Sequence, residues 1–445
     1  MNTRHLRVLI AFAALLATPL ARADWPQFRG PTQQGYVEGP APTVWGEEQN
    51  VLWKTPLPGR GWSSPVVLGD QIWMTTAVEQ SATAEEAKAA AAGLAGSSKM
   101  KMNLARKLSL RALCVDRRTG RVVRDIELFA PESVDVIHTL NSYASPTPVV
   151  EPGRLYCHFG TYGNACVDTS TGEVVWRKVL PLQHYVGPGS SPVVHGGRMI
   201  LTCDGADVQY VAALDCATGD VAWKMPRPPL RTDEPDFKKS YCTPLVIEYE
   251  GQAQVLVTGA QWFVAYDPAT GEELWRVDHG NGFSVVPRPV VADGVVYFTT
   301  GYGDTKMVAV RLGGSGDVTD THVLWRVKKQ TPTQPSPLLV AGRIFTVSDN
   351  GVGIGLDAAT GEQVWRGRLG GTYSASPLLV GDRVLFFSRE GKTTAVDLAG
   401  GRPNVSHTNQ IAERQMATPA IKDGVMYLRS EQSLYAISDT QQTSL

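Results

Sequence analysis

Two histidines are the first residues that could do chemistry. His138 and His184 each stand shortly before a Pro that is followed by an apolar pair. Convergence of the two imidazoles would permit metal binding or proton transfer. Ten further residues hold comparable places ahead of such Pro columns: Arg60, Trp62, Asn141, Tyr143, Tyr185, Tyr241, Arg288, Gln334, Tyr373 and Gln415. Aromatic, amide and basic groups together suit a polar ligand with flat or sugar-like faces, or a peptide segment. The same residues would equally serve to fill and solvate the mouth of a channel. Other loops add Tyr162, Asp204, Asp207, Trp262, Tyr302, Asp304, Asp349, Asn350, Arg389 and Glu390.

Several reaction types find no support. The chain has no Cys-x-x-Cys, no Gly-x-Ser-x-Gly elbow and no His-Glu-x-x-His. Asp204-Gly205-Ala206-Asp207 resembles part of a calcium loop but lacks the later ligands, so it reads as a turn. The 6 cysteines lack metal-site spacing and read as small buried strand residues. Cys157 and Cys166 flank Tyr162-Gly163 symmetrically, which predicts that they face each other across a hairpin, as thiols or as a cross-strand disulfide.

A repeat positions these groups. A small residue, an apolar residue, Asp, two residues and Thr-Gly are followed by Trp eight residues after the Asp. The fullest copies join Asp168 to Trp176, Asp215 to Trp223, Asp267 to Trp275 and Asp357 to Trp365. Asp116 and Asp397 open copies without Trp. Arg311 and Ser438 mark degenerate ones, the former followed by Trp325 after a longer turn. Asp fixes the turn by accepting backbone N–H groups, Gly supplies its positive φ, and Trp can cover the edge of a neighbouring unit. These Asp residues are therefore structural. Pro columns at Pro65, Pro148, Pro192, Pro244, Pro289, Pro337, Pro377 and Pro419 give the same count of eight. The period of 40 to 52 residues suits a four-stranded propeller blade. The predicted fold is all-β: an eight-bladed β-propeller of antiparallel blades. The final repeat lacks its outer strand, and the orphan strand around Trp53 supplies it, closing the ring.

Lys plus Arg (42) nearly balances Asp plus Glu (43), which leaves no field to favour nucleic acid. Arg4, Arg7, the apolar run Val8–Leu16 and Ala21-Arg22-Ala23 predict a signal peptide over residues 1–23. No later apolar run is long enough to span a bilayer. The expectation is a monomer in the periplasm or outside the cell. Residues 24–50 then form an N-terminal extension, 51–438 the propeller and 439–445 a tail. An insertion at 79–109 carries an Ala-rich helical stretch and a basic run, and reads as a solvated excursion from blade one.

The Asp-x-x-Thr-Gly-x-x-x-Trp pattern resembles the pyrroloquinoline-quinone-like (PQQ-like) repeat family over about residues 51–438. The opening Asp24-Trp25-Pro26-Gln27-Phe28-Arg29-Gly30 also resembles the start of exported members of that family. The family includes quinoprotein alcohol dehydrogenases and the propeller lipoprotein of the outer-membrane β-barrel assembly machinery. The first resemblance implies PQQ with calcium and an oxidoreductase; the second implies a binding scaffold. The chain departs from the enzymes in lacking a vicinal Cys-Cys pair and a haem-attachment motif, and from the lipoprotein in lacking a lipidated Cys. The expectation is an exported, non-catalytic scaffold without cofactor that binds a partner protein or envelope glycan on its loop-rich face, with a PQQ-dependent dehydrogenase as the alternative.

Overall fold

Each Pro column begins a short inner strand, where the missing N–H costs nothing because that edge faces a channel. In a computed structural model, which describes residues 24–37, 39–94, 100–328 and 331–439, these strands are Val66–Leu68, Val149–Glu151, Val193–His195, Leu245–Tyr249, Val290–Ala292, Leu338–Val340, Leu378–Val380 and Ala420–Lys422. Each is the innermost antiparallel strand of its blade, and inner strands of neighbouring blades touch, as Val66–Leu68 does with Val149–Glu151 and Ala420–Lys422. The fold is an eight-bladed β-propeller. The proposed signal peptide lies outside the described residues.

Blade eight consists of Ala420–Lys422, Val425–Arg429, Ser433–Ile437 and the early strand Val51–Pro56. Trp53 pairs with Ala436 and Lys54 with Tyr435, so the front of the chain seals the ring. The apolar core lies between blades. In one layer Tyr156, Cys166 and Trp176 of blade two meet Met199, Leu201 and Tyr210 of blade three. In every blade the third and fourth strands shift register at the motif, for example between Ala213 and Leu214. Such bulges increase local twist, which a radial packing of sheets requires.

The motif acts between blades. Asp215 accepts the N–H groups of Ala217 and Thr218, and Gly219 occupies φ +78°. A Cβ on Gly219 would come within 2.7 Å of the Trp176 ring, which lies on this turn and donates to the Cys216 carbonyl at 2.9 Å. Trp53, Trp223 and Trp325 dock in the same way on the turns headed by Asp116, Asp267 and Asp357. The outer strand of blade one, Val122–Phe129, has no Trp, and Arg124 takes its place by donating to the Ser170 and Thr171 carbonyls behind Asp168.

Two tryptophans do otherwise. The turn beyond Trp275 is the degenerate one at Arg311, so the indole turns into its own blade, stacks on Phe263 at 5.6 Å and donates to Gln254. Beyond Trp365 the turn is Gly400-Gly401, headed by Asp397, and that ring lies over Gly353 and Gly367 of its own blade.

The structure departs from the sequence reading in blade two. Tyr156 pairs with Cys166, and Cys157 pairs with Ala165. The partner of Cys157 is thus one residue earlier than assumed, and a one-residue offset sends side chains to opposite faces. Cys157 packs toward blade one and Cys166 toward blade three. All six cysteines are free and buried. Native protein should therefore resist Ellman's reagent, whereas denatured, unreduced protein should give six alkylated thiols by mass spectrometry; four would reveal a disulfide.

The insertion in blade one is more ordered than a free excursion. Strands Gln71–Ser81 and Ala105–Asp116 stay paired as far as Ser81 and Ala105. The helix Ala84–Ala91 begins with a capping box between Thr83 and Glu86, which satisfies two otherwise orphaned N–H groups. Met102–Asn103 pairs back onto Ile137–His138, which brings Met100 to the channel mouth.

Candidate binding site at the channel mouth

The N-terminal extension closes one end of the channel. Asp24 accepts the Gly69 N–H in a hairpin turn and pairs with Lys422, so the segment enters from the face of short turns. Trp25 bridges to Val67 of blade one, and the Pro26 carbonyl accepts from Val150 of blade two. Gln33 meets Val246 of blade four, and the Gln34 side chain accepts from Val291 of blade five. Tyr36 donates to Leu339 of blade six, and Tyr36–Val37 adds a parallel strand to Leu378–Val380 of blade seven. This segment satisfies inner-edge groups that would otherwise face a channel. Phe28 forms part of the floor it leaves.

Above that floor, on the face of longer loops, opens a cavity of about 540 Å³. Its lower wall is a hydroxyl belt. Ser64, Thr147, Ser191, Thr243, Ser336, Ser376 and Thr418 each precede a Pro of the repeat and line the cavity. Several of these hydroxyls accept an N–H from the preceding blade: Thr147 from Ser64, Ser191 from Thr147, Thr243 from Ser191, and Thr418 from Ser376. The belt stitches blade to blade while leaving oxygen atoms beside the cavity.

The upper wall is aromatic. Trp62, Tyr241, Phe283 and Tyr302 line it, with Phe237 packed on Phe283 at 4.6 Å between ring centroids. Lys239 is paired with Asp236 at 2.5 Å and lies 5.5 Å from the Tyr185 ring. A wide bowl with aromatic walls and scattered polar groups is the usual form of a site for a ligand or an inserted peptide side chain.

Of the twelve residues expected at the mouth, Trp62, His138, Asn141, Tyr241 and Gln334 line this cavity. Arg60 stands at the rim, stacked over Trp62 at 5.8 Å and donating to the Thr139 carbonyl. Tyr185 lies beside Lys239. The other five are elsewhere. Tyr143 is fully buried between blades one and two, where it donates to the Asp135 carbonyl. Tyr373 and Gln415 are fully buried. Arg288 is also buried and grips the N-terminal segment through the Phe28 carbonyl and Gln33. His184 is buried against Tyr241 at 5.3 Å.

The segments before the Pro columns wind over the blades before reaching the axis, so only some of their residues point inward. Sequence reasoning missed Phe28, Met100, Phe237, Phe283 and Met416, and missed the hydroxyl belt. The belt had a legible signal, because Ser or Thr directly precedes seven of the eight Pro residues.

The two histidines do not form a pair. Burial lowers the His184 imidazole to about 3, with further opposition from His158 and Lys239, which makes it a neutral ring. His138 is also lowered, by burial and then by Arg389, and its Nδ1 accepts the Leu140 N–H. Among the described residues, no cluster of three or more His, Cys, Asp or Glu could hold a metal ion.

PQQ carries three carboxylates and, in the enzymes, works with calcium. The bowl offers little free charge for such a ligand. Lys239 is neutralised by Asp236, and Arg389 at the rim is spent on Ser374 and Gln334. The acidic residue lining the bowl, Asp236, is held by that same lysine.

The class is thus a repeat propeller with a blind funnel. The chain belongs to the family described as "Outer membrane protein assembly factor BamB", whose profile matches residues 42–225, 109–311 and 259–445. Among solved structures, it is similar to BamB from Moraxella catarrhalis at 13% identity and a TM-score of 0.56, covering 87% of this chain and 99% of that one. A europium-containing methanol dehydrogenase aligns at 10% identity and a TM-score of 0.60, covering 91% and 89%. The computationally designed Ika8 protein aligns at 9% identity and a TM-score of 0.51, covering 75% and 95%. These likenesses show the fold alone. No curated protein matches the chain.

Proposed function

We propose that this protein is an exported, non-catalytic scaffold that binds a partner protein in its blind funnel, through an aromatic or amide-bearing segment of that partner. The observation carrying this reading is the combination of a closed floor and an open, aromatic-walled mouth of about 540 Å³. A channel blocked at Phe28 conducts nothing, yet the bowl offers Trp62, Tyr241 and Phe283 as flat apolar surfaces and a belt of hydroxyls for polar pairing. Export is supported by the basic and apolar N-terminal sequence. The description of the family, which concerns assembly at an outer membrane, favours a protein partner over a glycan. The scarcity of free charge for PQQ argues against the dehydrogenase alternative.

Replacing Trp62 with Ala tests the reading. Aromatic anchors at interface centres contribute about 2 kcal/mol or more, roughly a 30-fold change in affinity. The variant should fold normally yet lose the larger species in which wild-type protein migrates when envelope extracts are sized under native conditions. Unchanged migration of a folded variant would refute the proposal.

A further inference from the structure

One arginine of the plug and one of the ring that faces it lack a counter-charge. Arg29 and Arg288 are both 0% exposed. Neither makes an ion pair among the described residues. Arg29 donates only a long 3.5 Å bond from Nη2 to the Pro377 carbonyl, leaving Nε and Nη1 unpartnered. Arg288 donates to the Phe28 and Gln33 carbonyls and to Gln33 Oε1, and its Nε is unpartnered. The groups facing them are neutral: Tyr36 beside Arg29, and Cys242 beside Arg288.

A buried lysine could shed its proton. A guanidinium cannot, so burial leaves a fixed charge. The two side chains also oppose one another, and burial pulls both down to about 9. Leaving a buried ion uncompensated is costly, and here there are two, Arg29 in the plug and Arg288 in the ring beside it. Arg429 makes a useful contrast: it is equally buried and its Nε also lacks a partner, but its Nη1 is met by the Ser63 carbonyl, the Ser63 hydroxyl and the Thr75 carbonyl, and no second guanidinium opposes it. Unpartnered donors on neighbouring cations, beneath the Phe28 floor, form a built receptor for negative charge.

We infer that the plug holds a small inorganic anion, of the size of chloride, against Arg29 and Arg288, and that this anion locks the N-terminal segment into the channel. The site is separate from the funnel and stands whether or not a partner enters there.

The test uses the full mature chain and sodium chloride against sodium gluconate at constant ionic strength, because gluconate is a far larger anion than chloride. Wild-type melting temperature should rise in chloride by about 2 °C or more, by mass action on the folded state. Arg29→Met should abolish the rise, and Arg429→Met should keep it. In crystals of wild-type protein grown with sodium bromide, an anomalous peak should lie within hydrogen-bonding distance of the two guanidinium groups. A wild-type melting temperature indifferent to the anion would overturn the inference, as would Arg29→Met being the more stable protein in both salts. Should Arg29→Met fail to fold, the bromide crystal decides: density for water alone at that position excludes the anion.

Discussion

Arg227→Met should destabilise the propeller by about 3–5 kcal/mol at pH 8, the usual cost of leaving one member of a buried ion pair alone. Arg227 and Asp204 approach at 3.3 Å with side chains 3% and 1% exposed. Arg227 also donates to the Tyr266 hydroxyl at 2.9 Å and to the Trp262 carbonyl, tying blade three to blade four. Burial raises the Asp204 carboxyl from 3.8 to about 6, an effect that the attraction of Arg227 reduces without cancelling. The direction on Arg227 is upward because Asp204 and Tyr266 together outweigh its burial.

The pH dependence follows in sign. A carboxyl whose folded value is raised holds its proton better in the folded protein. Its contribution to stability is complete below about 3.8 and is lost as pH rises through about 6. In Arg227→Met the attraction is gone, so the loss deepens and extends to higher pH. Urea titrations should show a large defect at pH 8 that shrinks at pH 5. Adding Asp204→Leu should restore much of the stability, since a buried pair replaced by apolar groups is often neutral. A defect below about 1 kcal/mol, or one independent of pH, would contradict this reading.

The second large effect concerns closure. Trp53→Ala should cost roughly 3 kcal/mol, the low end for a large aromatic truncation because the ring is only half-buried. The ring lies against Gly120 and 6.1 Å from Tyr427, and its N–H reaches the Arg117 carbonyl at 3.2 Å. It thus joins blade eight to blade one, where the two ends of the chain meet. Hydrogen exchange should accelerate selectively in Ser433–Ile437, the strand that pairs with Val51–Pro56. Trp365→Ala serves as the comparison: its ring contacts its own blade, so blade eight should keep its protection. Equal deprotection of blade eight in both variants would mean that Trp53 does not fasten the ring.

The ring was readable because its signals are local and repeated. A Pro column marks each inner strand, and a motif marks six of the eight outer turns. The orphan strand around Trp53 had one vacancy to fill. The site was less readable for several physical reasons. Asp24–Val37 has neither helical nor strand periodicity, because its bonds go singly to inner strands of separate blades. Trp62 and Tyr241 stand three residues before their Pro and line the bowl, whereas Tyr373 and Gln415 stand four before and Tyr143 five before, and all three are buried away from it. Cys157 and Cys166 show how a partner misplaced by one residue inverts a prediction about facing side chains. Trp275 and Trp365 carry intact motifs, but the docking they predict needs a partner turn in the next blade.

The most direct test of the functional account is photocrosslinking in the native envelope from each face of the ring. A photoreactive phenylalanine analogue replaces Phe237, which is exposed at the funnel rim, or Asp293, in a hairpin turn on the plugged face. A discrete protein adduct should form from position 237 and be lost with Trp62→Ala, with none from position 293. An adduct from position 293 alone, or none from position 237, would place the working surface elsewhere and contradict the assignment of the funnel.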